Sequence, residues 1–134
     1  MPLIQIDLME GHDDAVHREL LERCTALYAD AVSAPIERFR SQVNVVAATQ
    51  WAAGGVVAPT RVSPLIRISL MAGRPPELLR ELMADMSALV AEILDISIDD
   101  TRVLVTEIPP THWGIGGVPA NEVRANEIAA RAAT

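Results

Sequence analysis

Lysine is absent from this chain, and all eleven cations among its 134 residues are arginine. Acidic residues outnumber them and the net charge is −7. That balance excludes a general nucleic-acid binder, which needs clustered cations against phosphate. Aromatic residues are almost missing too: Tyr28, Phe39, Trp51 and Trp113 are all there are. A core must therefore be made of Leu, Ile, Val, Ala and Met. One cysteine, Cys24, excludes an intrachain disulfide framework. No apolar run approaches the roughly 20 residues that span a bilayer. The opening Met1-Pro2-Leu3-Ile4-Gln5-Ile6-Asp7 lacks the basic and long apolar segments of a secretory signal. These absences lead to the expectation of a cytoplasmic protein with no membrane partner.

What the sequence does have is a repeat. Displaced by 62 residues, it aligns with itself from Pro2/Pro64 to Ala58/Ala120 without a gap, with 22 identities in 57 pairs. Pro2-Leu3-Ile4 lies over Pro64-Leu65-Ile66, Arg40 over Arg102, Trp51 over Trp113, and Gly54-Gly55 over Gly116-Gly117. Tryptophan and paired glycines in register make a fused duplication, with repeats at 2–58 and 64–120 and a tail at 121–134.

Each repeat has the same grammar. Residues 3–9 and 65–71 are apolar runs ended by Gly11 and Gly73, as buried strands are. Val16, Leu20, Cys24, Leu27 and Ala31 then recur at helical spacing, as do Leu79, Leu82, Met86, Leu89 and Ile93. Pro75 and Pro76 suit the first turn of the second helix. Second strands are expected near Gln42–Ala48 and Arg102–Ile108, and tight hairpins at the glycine pairs. Strand–helix–strand is a right-handed parallel crossover. Two such units predict an α+β fold: one four-stranded sheet with two helices on one face, the other face apolar and awaiting a partner. The tail is expected to be weakly helical, packing on a neighbour or fraying.

These residues resemble a known group. Pro2 followed by Leu-Ile-Gln-Ile-Asp-Leu-Met-Glu-Gly is similar to the start of the tautomerase superfamily. The second repeat resembles 4-oxalocrotonate tautomerase more closely, through Gly73-Arg74, Arg102-Val103-Leu104-Val105-Thr106-Glu107 and His112-Trp113-Gly114-Ile115-Gly116-Gly117. The resemblance covers residues 2–120. It implies the tautomerase fold, shared with migration inhibitory factor, and a homotrimer of fused chains. It also implies a catalytic N-terminal proline and no metal or organic cofactor. Pro2 takes the place of that proline, and Arg74 that of an arginine gripping a substrate carboxylate. Arg40 and Arg102 both occupy the place of a second arginine that polarises the keto oxygen. Trp51 and Trp113 both replace a phenylalanine that walls the pocket. The first repeat departs from the pattern, with His12 where the second has Arg74.

Chemistry supports Pro2 independently. Freed of Met1, it is the chain's only secondary amine, and an α-amino group ordinarily titrates at roughly 7.7–8.0. Pro64 is locked in an amide and cannot be a base. The repeats have thus diverged in a complementary way: one keeps the amine, the other the arginine. A site joining Pro2 to Arg74 would be complete, and one joining Pro64 to His12 empty. His12, His17 and His112 have no metal-ligand spacing, and Cys24 lies on the apolar helix face.

The function expected is keto–enol proton transfer on a small unsaturated 2-keto or 2-hydroxy acid. The alternative is a lyase or hydratase of the same superfamily, such as malonate semialdehyde decarboxylase or a chloroacrylic acid dehalogenase, which needs a water-directing carboxylate. Glu37-Arg38-Phe39-Arg40 loosely matches the decarboxylase pattern, whereas Ala53 or Ile115 stands where the dehalogenase has its glutamate. A non-catalytic interaction protein resembling migration inhibitory factor is the third class considered.

Overall fold

The computed structural model describes residues 2–133. The expected removal of Met1 and the last tail residue, Thr134, lie outside that range. The strands and helices are β1 (Leu3–Met9), α1 (Asp14–Val32), β2 (Arg40–Val46), β3 (Ala52–Ala53), β4 (Val56–Val57), β5 (Leu65–Met71), α2 (Pro76–Leu94), β6 (Arg102–Ile108), β7 (Gly114–Ile115), β8 (Val118–Pro119), α3 (Ala120–Val123) and α4 (Ala125–Ala132). Every element from β1 to β4 recurs 62 residues later, so the duplication visible in sequence is also one of structure.

Local chemistry fixes the helix ends. The Asp13 carboxylate accepts from the Val16 N–H at 3.0 Å and caps α1, while Pro75 and Pro76 start α2. Both helices stop on a left-handed residue, Ser33 at φ 52° and Asp95 at φ 54°. The following amides, Ala34 and Ile96, reach back to the carbonyls of Ala29 and Ala91. β2 starts and ends two residues before its expected bounds. The 62-residue register with β6 already required this, because a short turn begins at Ala48.

The strand order is β2-β1-β5-β6, with parallel outer pairs and an antiparallel centre. Ile4, Ile6, Leu8, Ile66, Ile68 and Leu70 point toward the helices and are buried. Leu20, Cys24 and Tyr28 from α1 and Leu82, Met86 and Val90 from α2 close over them. Burial pushes the Cys24 thiol up to about 12, which makes it packing material rather than a nucleophile. Tyr28, like Val32, Val90 and Leu94, is a buried helix residue that the sequence reading did not single out. Its ring meets Phe39 edge-on at 4.9 Å, and its hydroxyl donates to the Ser69 carbonyl at 3.1 Å. Tyr28→Phe should keep the packing and lose the hydrogen bond. We expect about 1 kcal/mol of destabilisation, measured as a lower urea midpoint with an unchanged m-value.

The opposite sheet face differs from the expectation of a wholly apolar surface. Register places Leu3, Gln5, Asp7 and Met9 there, next to Arg40, Gln42, Asn44 and Val46. Arg67, Ser69 and Thr106 add to a polar middle, while apolar residues are kept near the strand ends. Asp7 anchors this middle, paired with Arg67 at 2.9 Å and accepting from the Asn44 amide at 2.9 Å. Strict alternation in β1, with Gln5 and Asp7 between the buried Ile4, Ile6 and Leu8, is the cause. Leu104 is the exception: register pairs it with Arg67 on this same face, and it is 54 % exposed, while Val56 on a hairpin is 62 % exposed.

The described part of the tail is helical, and α3 and α4 fold back on their own chain. Arg38 makes a two-pronged pair with Glu127, at 2.9 Å to each carboxylate oxygen. The two residues are 89 positions apart, and no local periodicity announces such a contact.

Candidate active site

The antiparallel centre of the sheet decides which repeat residues meet. Leu3 of β1 pairs with Ser69 of β5, so the start of one repeat lies at the end of the other's first strand. Pro2 precedes β1, and Arg74 follows β5 by three residues. Both line one cavity, together with Ala34, Arg38, Met71, Ile115, Arg124, Glu127 and Arg131. By the same pseudo-symmetry His12 falls at the Pro64 end of the sheet.

Each wall has a distinct origin. Pro2 is half-buried, and its carbonyl accepts from the Arg40 N–H at 3.0 Å, tying the N-terminus to the edge strand. The Arg74 guanidinium donates to the Val32 carbonyl, one of the unsatisfied acceptors at the end of α1, at 3.1 Å. Burial, and secondarily the nearby Arg131, holds Arg74 below the usual arginine range. The hairpin after β6 contributes Ile115. Its glycines make this reach feasible: Gly116 and Gly117 have φ of 59° and 83°, the pair of positive values that a tight primed turn requires.

The remaining sequence candidates lie outside this cavity in the single chain. Arg40 and Arg102 start the two edge strands, and both guanidiniums turn back on main-chain carbonyls. Arg40 donates to Glu37 and Phe39, Arg102 to Asp99 and Thr101. Arg102 borders a groove at the Pro64 end with Arg61 and Asp100, which form an ion pair. Trp51 and Trp113 are half-buried at the bases of the hairpins, where their carbonyls accept from Ala58 and Ala120. Two residues nearer the turn, Ile115 is the hairpin residue that lines the Pro2 cavity.

Four charged residues at the cavity escaped sequence reasoning as site residues: Arg38, Arg124, Glu127 and Arg131. Arg38 was visible in the sequence only as part of a loose decarboxylase match. The other three lie in the tail, where the repeat has no counterpart to flag them. Glu127 is held below the usual carboxylate range, chiefly by its hydrogen bonds from Arg38. The cavity therefore combines a half-buried Pro2, the apolar side chains of Ala34, Met71 and Ile115, four guanidiniums and one carboxylate. That composition suits a small organic anion.

Known proteins give this geometry a context. The sequence model of the family described as "Tautomerase enzyme" matches residues 2–61 and again 64–122. The 2-hydroxymuconate tautomerase of Pseudomonas sp. (strain CF600) is 39 % identical over 61 residues, which is 46 % of this chain and 97 % of that one. A native fused 4-OT crystal structure superposes with a TM-score of 0.86 at 38 % identity, covering 91 % of this chain and 98 % of that one. A second fused 4-OT, described as a wild-type asymmetric trimer, gives a TM-score of 0.85 at 32 % identity, covering 90 % and 98 %. The family model spans both repeats, the fold is that of fused 4-OT proteins, and the chain belongs to the tautomerase family of isomerases.

Proposed function

We propose that the chain moves a proton within a small unsaturated 2-hydroxy or 2-keto acid, with the amine of Pro2 as the base. The observation that carries this is the meeting of Pro2 and Arg74, from different repeats, in one cavity. Half-burial and the surrounding guanidiniums disfavour an ammonium on Pro2, so its amine should titrate below the ordinary α-amino range. A base poised near or below neutral suits abstraction of an enolic proton. The Pro2 nitrogen takes the proton from the 2-hydroxyl of a dienol, and electrons shift along the conjugated system. The resulting ammonium returns the proton to a distant carbon, leaving the ketone. Arg74 holds a substrate carboxylate, while Met71, Ala34 and Ile115 shield the carbon chain.

The relatives named 2-hydroxymuconate tautomerase support that acid as the first substrate to assay. The lyase or hydratase alternative needs a carboxylate free to direct water. Glu127 is the acidic residue lining the cavity, and both its oxygens are taken by Arg38. Glu37 is exposed and away from the cavity. A panel of 2-hydroxymuconate isomerisation, phenylenolpyruvate isomerisation and malonate semialdehyde decarboxylation tests the assignment. Isomerisation of at least one enol acid with negligible decarboxylation is expected; the reverse order would overturn it.

In our account the working unit is a homotrimer, as in the fused 4-OT structures described as trimers. Exposed edge strands and the apolar hairpin residues Val56 and Val57 are available for contacts between copies. Arg40 or Arg102 of a neighbouring copy then supplies the cation that stabilises the developing oxyanion. Light scattering at micromolar concentration should give three times the chain mass. A monomer with full activity would exclude both the trimer and the shared arginine.

A further inference from the structure

The cavity around Pro2 and the open groove beside it share part of their walls. Ala34, Arg38, Arg74, Glu127 and Arg131 line both, whereas Pro2, Met71 and Ile115 line only the inner one and Ser33 and Pro35 only the outer one. The shared residues form the mouth between the two. Arg38 comes from the turn before β2 and Glu127 from α4, so their two-pronged pair spans that mouth. The inner cavity has a volume of about 60 Å³. An engineered protein cavity that admits benzene has roughly 150 Å³, so a six-carbon acid reaches Pro2 only if the wall moves. The helix α4 is the part of the wall able to do so. None of its residues is buried, and little apolar contact resists its displacement. Glu127 is also the carboxylate on which the surrounding cations act, Arg38 most strongly and then Arg124 and Arg131, and it acts in turn on Arg74. A guanidinium fork on both oxygens of a carboxylate is the contact that an acid ligand would itself make.

We infer that Glu127 is an internal competitor for the substrate's carboxylate, and that its pair with Arg38 is a gate across the mouth. An acid entering from the outer groove takes the Arg38 fork, beside Arg74, in place of Glu127. The helix α4 carries the displaced carboxylate outward, away from Pro2. Arg38 is thereby a substrate-binding residue, and its exchange of partners sets how tightly the acid is held. The ligand class is a short, flat, unsaturated carboxylate. This inference rests on the proposed role of the cavity, but its test does not depend on turnover.

The test uses sorbate, a six-carbon dienoate without the hydroxyl that the proton transfer requires, titrated calorimetrically into the full chain. Glu127→Gln removes the competitor and should bind sorbate roughly 3- to 10-fold more tightly than wild type, because the closed form no longer holds back binding. Arg38→Gln breaks the same pair but removes the fork, and should bind roughly 10-fold more weakly. Both variants should melt at or slightly below the wild-type temperature. A pair that only held α4 in place would give both variants the same change in affinity. Glu122→Gln, an exposed change on α3 that does not line the cavity, should stay within about twofold of wild type. With 2-hydroxymuconate, KM should fall in Glu127→Gln and rise in Arg38→Gln. If the two variants shift sorbate affinity in the same direction, or Glu127→Gln binds no tighter than wild type, the gate does not exist. If Glu122→Gln tightens binding as much as Glu127→Gln, general charge is responsible and the inference fails. It fails too if none of these proteins binds sorbate. Opposite shifts without isomerisation of any enol acid would uphold the gate and overturn the proposed reaction; isomerisation with shifts in one direction would do the reverse.

Discussion

Arg74→Ala should raise the KM for enol-acid substrates by about 2–4 kcal/mol of lost binding, roughly 30- to 1000-fold. The size follows from its partial burial: a carboxylate meeting a guanidinium away from bulk water loses more when that partner disappears than an exposed pair would. His12→Ala, the same position in the first repeat, should change KM by less than about twofold. His12 is not among the residues lining the Pro2 cavity, and its Nδ1 is buried without a partner, so its removal takes no hydrogen bond from that atom. Arg74→Ala also removes the donor to the Val32 carbonyl. A small fall in melting temperature should therefore accompany it, and kinetics must be measured well below the transition. Steady-state assays of both variants on one substrate decide the matter. Equal damage from the two would mean that the repeats are functionally equivalent and that the asymmetric site is not the working one.

The asymmetry was legible because duplication provides an internal control. With two copies of one pattern, a proline that can be an amine and one that cannot stand at equivalent positions, as do Arg74 and His12. Strand–helix–strand order then left few topologies, and the antiparallel pairing of β1 with β5 brings opposite ends of the repeats together. Three features were harder to read. The polar middle of the open sheet face is present in the alternation of Gln5 and Asp7 with isoleucine, but apolar content outweighed period in the sequence reading. Tyr28 completes a buried 20–24–28 line on α1, where its hydroxyl finds an acceptor in the Ser69 carbonyl, a contact 41 residues away in sequence. The tail contacts depend on a pairing across 89 residues. A chain with eleven arginines offers many partners for Glu127, and only the fold selects Arg38. The placement of Arg40 and Arg102 was undecidable from sequence for a related reason. Both guanidiniums make the same kind of bonds to their own turns, and neither lines the Pro2 cavity of the single chain.

The second large effect concerns the base. If Pro2 is the proton acceptor, its nitrogen must be a free secondary amine. Retention of Met1 would convert it into an amide with no basicity. Loss of a general base costs typically 10²- to 10⁴-fold, so Met1-retaining or N-terminally tagged protein should lose at least about a hundredfold in kcat/KM. A C-terminal tag is not an equivalent control here, because α4 lines the same cavity. Pro2→Ala, processed to a free primary amine, should retain a small fraction of activity. The sign of the pH dependence follows from the same chemistry. The unprotonated amine is the active form, so kcat/KM should be fully expressed above its pKa and decline as pH falls through it. The midpoint should lie below the ordinary 7.7–8.0 of an α-amino group.

The most direct measurement compares two preparations of the wild-type sequence, one beginning at Pro2 and one retaining Met1, each verified by intact mass. Both are assayed with 2-hydroxymuconate across pH. The account predicts fast turnover with a single acidic-limb ionisation for the protein beginning at Pro2, and near-background rates for the other. Equal rates from verified Met1-retaining protein would show that Pro2 is not the base.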